Sequence, residues 1–454
     1  NGCAESMYPF YCEYVVHQIE NDRRYGPTPE ARVALLQRGG MVIKTALDPA
    51  LQDYATSVAN RYIPKDDPSR KATAIAMVDP VNGEVRTLAQ NRDWGLKGRG
   101  KTTYNYAVDA QDGGTIGMQA GSTFKLFTLL AAMEDNQDPT EYISSPASKL
   151  FAAGDWGCKG GRFGQFSVSN STSSGTMNMF KGTAYSVNTY FVELQRRVGL
   201  CDTVAVADRM GIKMANGKPL PRYPSFTLGS LEISPLSLAS AYATTANHGV
   251  YCRPHSVRTV TDLAGRRLFS DSGDCKRVVS RESADAVTAI LTSVIDGNIS
   301  GRTGQKMSLG RDAAGKTGTT DSNAAVWFAG FTPELATAVW VGDPRGGFKY
   351  PMKDITINGR YYSKVYGSYL PGPIWREVMS YALQDIPPAS FDLDPKFDLR
   401  TARNGGGVAP KPYSYNYDSD NYNFLRPTPT PTPSRQRGLG EIPAPGDRDQ
   451  PSQP

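Results

Sequence analysis

The chain has 454 residues, three histidines, six cysteines and a formal net charge of +6. This length allows one large domain with flanking segments and a substantial core. The small basic excess is better explained by a solvated basic face of the protein than by a surface that binds anionic polymers. The cysteines lack a CxxC spacing and the histidines are few, which argues against zinc and thioredoxin chemistry, so no metal and no cofactor are expected. The sequence also shows no phosphate loop and no nucleic-acid signature.

The N-terminal residues predict two helices separated by a strand. Residues 28–30, Thr-Pro-Glu, begin a short helix that the glycines at 39–40 end, and residues 41–45 have the composition of a strand. Residues 48–49, Asp-Pro, cap a second helix. Its apolar side chains share one face: Leu51, Tyr54, Ala55, Val58 and Tyr62.

Three later segments predict strands and a loop. Residues 74–91 read as a β-hairpin with an Asn-Gly pair near its turn, and residues 326–342 as two strands around a Thr-Pro turn. The Gly-, Ser- and Thr-rich stretch 160–176 is expected to be a loop, either lining a cleft or lying on an ordinary surface.

These elements divide the chain into three parts. Residues 1–70 are interpreted as a linker or pedestal region. Residues 71–390 are predicted to form an α+β domain, with a central antiparallel sheet flanked by helices and a helical subdomain. Residues 391–454 are rich in glycine, proline and threonine, which predicts a disordered tail.

Three short motifs carry the chemistry and occur in a fixed order. They are the first motif Ser122-Thr123-Phe124-Lys125, the second motif Ser186-Val187-Asn188 and the third motif Lys316-Thr317-Gly318-Thr319. The second pattern also has decoys at 414–416 and 419–421, both in the predicted tail. Each motif alone is a weak signal, but their joint order, with a helix expected at the first and a strand at the third, favours an active site.

Ser122 and Lys125 suit a nucleophile and its base. Residues three apart lie on the same face of a helix, and an apolar run predicts a buried helix starting near Gly121: Leu126, Phe127, Leu129, Leu130 and Met133. A serine hydroxyl is a poor nucleophile until a base takes its proton. Lys125 can be that base if its pKa is lowered by burial and by a second cation, for which Lys316 is the candidate.

The second motif is expected to connect the two lysines. Ser186 is placed to relay a proton between Lys125 and Lys316, because a hydroxyl both donates and accepts hydrogen bonds. Asn188 is expected to hold Lys125 and a substrate amide through its carboxamide group.

The third motif is expected to bind the substrate. Gly318 would let a substrate backbone approach closely, since it has no side chain. The hydroxyls of Thr317 and Thr319 suit a substrate carboxylate. The backbone N–H groups of Ser122 and Thr319 are the expected oxyanion donors.

Segments beyond the motifs extend a resemblance to a known family. The chain is similar, over roughly residues 8–385, to the transpeptidase domain of class A, bifunctional penicillin-binding proteins, most like those of actinobacteria. The segments that carry the resemblance are 74–91, 104–107, 119–125, 227–230, 241–247, 316–320 and 327–333. It implies the penicillin-binding, β-lactamase-like serine transpeptidase fold.

The resemblance implies a D,D-transpeptidase that cross-links peptidoglycan stem peptides and is acylated by β-lactams. Ser122 would attack the carbonyl of the penultimate D-Ala, the terminal D-Ala would leave, and an amine of a neighbouring stem peptide would resolve the acyl-enzyme. D,D-carboxypeptidases and serine β-lactamases use the same motifs but transfer the acyl group to water. A non-catalytic β-lactam sensor, which is acylated without turnover, is a third possibility.

The family also implies a location and partners. Such an enzyme works outside the cytoplasm, on the cell-wall side of the cytoplasmic membrane, on stem peptides and β-lactams and not on nucleic acid. An N-terminal membrane anchor and an upstream glycosyltransferase domain are expected, but the sequence contains neither. Residues 1–3, Asn-Gly-Cys, look like a junction and predict a fragment of a longer protein.

The six cysteines are predicted to form disulfides, which fit an extracytoplasmic location. Cys252 and Cys275 lie symmetrically about the turn of a predicted hairpin at 263–264, so they should face each other within disulfide reach. Buried free cysteines are the alternative, and the other pairings cannot be fixed from sequence. The remaining pairs we expect are Cys3 with Cys12 and Cys158 with Cys201.

Overall fold

The computed structural model describes residues 2–159, 161–394, 396–397 and 404–406, which belong to one compact unit, residues 1–409. The α-helices of this described part are α1 (Pro9–Asn21), α2 (Pro29–Arg38), α3 (Pro49–Tyr62), α4 (Lys125–Glu134), α5 (Met179–Ala184), α6 (Asn188–Val198), α7 (Leu200–Arg209), α8 (Pro235–Ala246), α9 (Arg281–Ile295) and α10 (Pro371–Ala382). Its strands are β1 (Met41–Thr45), β2 (Ala72–Val78), β3 (Val85–Gln90), β4 (Asp93–Trp94), β5 (Lys101–Thr102), β6 (Asn105–Asp109), β7 (Gly114–Thr115), β8 (Met118–Gln119), β9 (Ile143–Ser145), β10 (Ser148–Phe151), β11 (Phe166–Ser169), β12 (Gly175–Met177), β13 (Glu232–Ile233), β14 (Val250–Tyr251), β15 (Val257–Asp262), β16 (Arg267–Ser270), β17 (Lys276–Arg277), β18 (Ala314–Thr319), β19 (Ala325–Phe331), β20 (Ala336–Gly342), β21 (Lys353–Ile357) and β22 (Arg360–Lys364).

A five-stranded antiparallel sheet in the order β18-β19-β20-β2-β3 forms the centre of this unit. Successive side chains of a strand point to opposite faces of the sheet. The paired Trp327 and Trp340 therefore belong to one apolar core, and the paired Phe328 and Val339 to another. Because both faces are covered, β2, β19 and β20 are buried along their whole length. This confirms the predicted α+β fold with a central antiparallel sheet.

Helices cover both faces of the sheet. On one face α3 and α10 pack together, and Trp375 of α10 contacts Phe328 with ring centroids 4.8 Å apart. On the other face α8 packs against β2, β19 and β20, and α4 lies among α6, α7 and α9. The full burial of α4 from Lys125 to Ala132 explains its continuous apolar run, because a helix surrounded by protein needs no polar face.

The predicted N-terminal elements form with the expected caps. The Thr28 side chain accepts a hydrogen bond from the backbone N–H of Ala31 at the start of α2, and Asp48 accepts one from Leu51 at the start of α3. Strand β1 pairs with β15 of the hairpin β15-β16. Helix α3 packs against β3 of the central sheet, and the domain boundary at residue 70 stays a prediction.

Helix α1 has no counterpart in the sequence analysis. It packs on the unit through Tyr11 and Tyr14, and the Tyr11 hydroxyl donates to the carbonyl of Val85 at 2.6 Å. Its buried positions are aromatic or β-branched, residue types with modest helix propensity, so local preference did not reveal the helix.

The stretch 160–176, predicted to be a loop, in fact contains two short strands. β11 pairs antiparallel with β10, and β12 pairs antiparallel with β9. The prediction was wrong here because small polar residues are tolerated in exposed two-stranded ribbons, where there is little core to impose an apolar pattern.

The predicted tail does not begin at residue 391. Phe391 is buried and lies edge-on to Phe331 with ring centroids 5.6 Å apart, and Asp392 forms an ion pair with Arg281 at 2.8 Å. Further on, the carbonyl of Gly405 accepts a hydrogen bond from Asn178 at 2.8 Å. A single buried aromatic is enough to dock such a segment, and composition does not reveal it. The Pro-Thr repeat and both decoy motifs lie outside the described residues.

The six cysteines lie in three pairs, each with its Cα atoms 4.0–5.4 Å apart: Cys3–Cys12, Cys158–Cys201 and Cys252–Cys275. The third pair lies next to the strand pair β14-β17, and the predicted hairpin between its cysteines is present as β15-β16. A search of the described helices finds none whose length and apolar character would let it cross a membrane.

Candidate active site

The spacing of the first motif predicted an α-helix starting near Gly121. The motif lies instead in a tight turn that precedes the helix. Residues Gly121–Phe124 form a 3-10 helix, and α4 begins only at Lys125. Since a 3-10 helix has three residues per turn, Ser122 and Lys125 still lie on the same side of the chain. Ser122 is 9% exposed and Lys125 is fully buried, so the serine is closer to solvent than the amine.

Gly121 brings this turn against the third motif. Its φ is +61°, and a Cβ atom at this position would lie 2.9–3.0 Å from backbone atoms of Thr319. Any side chain there would push the turn away from β18. The glycine therefore fixes the distance between Ser122 and the end of β18.

The amine of Lys125 contacts two residues of the second motif, Ser186 and Asn188. Its Nζ donates to the carbonyl oxygen of Ser186 at 2.8 Å, to Oδ1 of Asn188 at 2.8 Å and to Oγ of Ser186 at 3.2 Å. These three contacts hold the amine nitrogen in a fixed position. The Asn188 amide nitrogen in turn donates to the carbonyl of Ser169 in β11, which sets the direction of its oxygen.

Lys316 approaches the same hydroxyl from the other side. Its Nζ donates to Oγ of Ser186 at 2.7 Å and to the carbonyl of Thr317 at 3.0 Å. Ser186 has a φ of +57°, an uncommon conformation for a residue with a side chain, and it lies in the short link between α5 and α6. This conformation places its hydroxyl between the two amines, as the sequence analysis expected.

Burial of the two lysines makes a proton acceptor available. Burial is the main cause that lowers the pKa of Lys125 well below its ordinary value; the charge of Lys316 lowers it further, and Asp321 opposes the shift. Burial also lowers the pKa of Lys316 to about 7. At neutral pH the pair therefore does not hold two full positive charges.

The third motif lies on β18, as predicted, but Gly318 has another role than expected. A Cβ at Gly318 would lie 2.7 Å from the carbonyl oxygen of Ala120, 2.9 Å from Cβ of Trp327 and 3.0 Å from Cγ2 of Thr123. The space that the missing side chain leaves is thus occupied by Thr123 of the first motif, by Ala120 just before it and by Trp327 of β19. The glycine serves the assembly of the site, and the expected role in substrate approach gains no support from this contact.

The two threonines of the third motif differ in their surroundings. Thr317 is 6% exposed, and its hydroxyl donates to Oγ1 of Thr303 at 3.0 Å. Thr319 is half-buried, and its hydroxyl oxygen accepts a hydrogen bond from the backbone N–H of Gly367 at 3.3 Å. The sequence analysis missed Thr303 and Gly367, since both lie in connections without a pattern that marks them.

The structure thus brings all three motifs together and leaves the other candidate residues elsewhere. The cysteines are paired with one another, and the described residues contain no group of three histidine, cysteine, aspartate or glutamate side chains able to hold a metal. Two buried lysines linked through the Ser186 hydroxyl, with Ser122 three residues before the first of them, form the arrangement expected of a serine acyl-transfer site.

Comparison with known proteins agrees with this class. The family model described as the penicillin binding protein transpeptidase domain matches residues 73–351. The chain belongs to this family, which places it among acyl-transferring enzymes that are targets of β-lactams.

Relatives and solved structures show the same family. Penicillin-binding protein 1A of Mycobacterium tuberculosis is 30% identical over 383 residues, which cover 78% of this chain and 41% of that protein. Penicillin-binding protein 1A of Aquifex aeolicus is 27% identical over 326 residues, 71% of this chain and 40% of that protein. The chain thus spans less than half the length of these relatives.

Two structures of M. tuberculosis PonA1 resemble this one. The penicillin-binding protein PonA1 superimposes with a TM-score of 0.65 at 28% identity, covering 84% of this chain and 93% of that one. PonA1 in complex with penicillin V gives a TM-score of 0.62 at 26% identity, covering 83% of this chain and 93% of that one.

Proposed function

We propose that this chain is a D,D-transpeptidase that cross-links peptidoglycan stem peptides through an acyl-enzyme on Ser122. The observation that carries the proposal is the position of the Ser186 hydroxyl, within 3.2 Å of Lys125 Nζ and 2.7 Å of Lys316 Nζ. This arrangement provides a nucleophile, a base with a lowered pKa and a proton path between the two amines.

Acylation begins with proton transfer from Ser122 to neutral Lys125. The Ser122 oxygen then forms a bond to the carbonyl carbon of the penultimate D-Ala, and the C–N bond to the terminal D-Ala breaks. The leaving amine needs a proton, which Lys125 returns through the hydroxyl of Ser186, while Lys316 stabilises that hydroxyl as it passes the proton. Deacylation follows the same path in reverse, with an acceptor amine in place of D-Ala.

The developing oxyanion would lie between Ser122 and Thr319. The close packing of Gly121 on the backbone of Thr319 supports this assignment, because it places the turn that carries Ser122 against Thr319. Loss of one such donor typically costs about 2.7–4 kcal/mol of transition-state stabilisation. Asn188, whose Oδ1 accepts a hydrogen bond from Lys125 Nζ, is assigned to the substrate amide.

Several observations support the substrate class and the location. PonA1, which this chain resembles, was solved in complex with penicillin V. Three cysteine pairs fit an oxidising compartment outside the cytoplasm, where stem peptides are cross-linked. We assign the chain to the cell-wall side of the cytoplasmic membrane.

A labelling experiment tests the proposal. The protein and its Ser122→Ala variant are incubated with a fluorescent penicillin, and the labelled peptide is mapped by mass spectrometry. We expect a persistent adduct on Ser122 that the variant lacks, and release that a D-amino acid or stem-peptide amine accelerates. Labelling at another residue would contradict the site, and rapid release to water alone would identify a β-lactamase or carboxypeptidase instead.

A further inference from the structure

The active site has a second connection between its second and third motifs, which runs through Thr303. The first connection is direct, from Lys316 to Ser186. The second begins at Thr317, whose hydroxyl donates to Oγ1 of Thr303 at 3.0 Å, and Thr303 Oγ1 donates to the carbonyl of Ala184 at 3.1 Å. The backbone N–H of Thr303 donates to the same carbonyl at 2.9 Å.

The direction of these hydrogen bonds is fixed by chemistry. A carbonyl oxygen only accepts, so Thr303 must use its single hydroxyl proton for Ala184. Oγ1 of Thr303 can then take part in the contact with Thr317 only as an acceptor, and the proton of Thr317 is committed to Thr303. Thr317 is also 6% exposed, which leaves its hydroxyl little access to a ligand.

Thr319 is in the opposite situation. Its oxygen accepts from the N–H of Gly367, so its own proton stays available, and it is more exposed than Thr317. The sequence assigned the hydroxyls of Thr317 and Thr319 to a substrate carboxylate. The structure leaves the hydroxyl proton of Thr319 available to a ligand, whereas that of Thr317 is used in a hydrogen bond within the protein.

We infer that Thr303 is a positioning residue for acylation, which joins β18 to the end of α5 and so holds Lys316 against Ser186. Ala184 is the last residue of α5 and lies two residues before Ser186, and Thr317 directly follows Lys316. A shift at Thr303 is thus transmitted over one or two residues on either side to the two groups that exchange protons. The same connection leaves Thr319 as the donor to the ligand carboxylate.

The inference rests on the proposed function and predicts an effect on the chemical step. Thr303→Val keeps the side-chain shape but removes both hydroxyl hydrogen bonds, and we expect the rate constant of penicillin acylation at saturation to fall about three- to tenfold, as for one or two hydrogen bonds. The apparent binding constant should change less than twofold, because Thr319 is untouched. Thr303→Ser keeps the hydroxyl and should restore the rate.

The pH profile separates positioning from general loss of structure. If Lys316 moves away from Ser186 and Lys125, its charge lowers the pKa of Lys125 less, so the acidic limb of the rate profile moves to higher pH in Thr303→Val. Thr203→Val is a matched control. Thr203 is buried and its hydroxyl also donates to a backbone carbonyl, that of Gly199, but Thr203 lies in α7 and outside the three motifs. It should leave both rate and profile unchanged.

The outcomes are distinct. Failure of the wild-type protein to be acylated at Ser122 would refute the proposed function itself. Normal wild-type acylation with an unchanged rate and pH profile in Thr303→Val would refute the role of Thr303 alone. If Thr303→Val does not fold, Thr303→Ala and Thr317→Val replace it, because they remove the same hydrogen bond from either end. Equal losses of acylation rate in the two single variants, with no further loss in the double variant, support the connection.

Discussion

Two sets of buried lysines show how the same type of side chain serves either structure or chemistry: Lys71 is one set, and Lys125 with Lys316 is the other. Lys71, just before β2, is 2% exposed and pairs with Asp343 at 2.9 Å and with the carbonyl of Tyr350 at 2.6 Å. Lys125 and Lys316 are fully buried as well. In the described part of the chain, however, their hydrogen-bond acceptors are hydroxyl, amide and carbonyl oxygens and include no carboxylate.

The difference decides whether the lysine can exchange a proton. Burial lowers the pKa of Lys71 below its ordinary value, but the hydrogen bond and charge of Asp343 partly offset this shift. Burial and the charge of Lys316 act in the same direction on Lys125. A buried lysine with an acid partner is therefore a structural ion pair, while two buried lysines that share a neutral hydroxyl are ready to take up a proton.

Removal of the active-site amine should have the largest effect on activity. We expect Lys125→Met to slow penicillin acylation of Ser122 by about 10²–10⁴-fold, the usual cost of losing a general base. Its free energy of unfolding should not fall, because no buried carboxylate loses its partner. Stopped-flow acylation and urea unfolding measure the two effects, and wild-type acylation by this variant would disprove the assignment of the base.

The matched substitution at the structural lysine should show the reverse pattern. Lys71→Met leaves Asp343 buried with Arg345 as its remaining ion-pair partner at 2.7 Å, so we expect the free energy of unfolding to fall by about 3 kcal/mol. The acylation rate of the folded protein should stay within about twofold of wild type, because the contact lies outside the site. A loss of acylation with unchanged stability would overturn the comparison.

The pH dependence should follow the lysine pair. Acylation is expected to rise with pH as Lys125 loses its proton and to level off well below pH 10.5, the ordinary lysine value, because burial and the charge of Lys316 lower the pKa of Lys125. The pKa of Lys316 is about 7 in the folded protein and 10.5 ordinarily, so between these two pH values the folded protein binds fewer protons than the unfolded chain. The free energy of unfolding should therefore rise with pH from about 7 to 10.5. Rates measured from pH 5 to about 9 test this, and a rate that falls across neutral pH would contradict it.

A surface lysine provides the smallest expected effect. Lys65 forms an ion pair with Asp93, and both side chains are 47% exposed. Water screens this pair, so Lys65→Met should change the free energy of unfolding by less than about 1 kcal/mol and leave acylation unaffected. Urea unfolding beside Lys71→Met makes the contrast direct, and equal losses in the two variants would show that burial is not the deciding factor.

The sequence predicted the three motifs of the site, but it did not predict the contacts between them and the rest of the chain. The order of Ser122, Ser186 and Lys316 along the chain, with an apolar run after the first and a strand at the third, was sufficient to predict which segments the structure brings together. The 3-10 turn at the first motif was not predictable, because spacing of three residues fits both helix types. Thr303 and Gly367 were missed because their roles depend on residues far away in sequence.

The sequence by itself determined the strands of the central sheet, the capped N-terminal helices and the three motifs that meet in the site, because these follow from local patterns of apolar residues, caps and motif spacing. Only the tertiary structure decided that Lys125 and Lys316 have no carboxylate among the described contacts, and that Gly318 makes room for the first motif. It also decided that residues 391–394 pack on the domain. The physical reason is that burial, charge pairing and close packing join residues distant along the chain, and no local pattern encodes them.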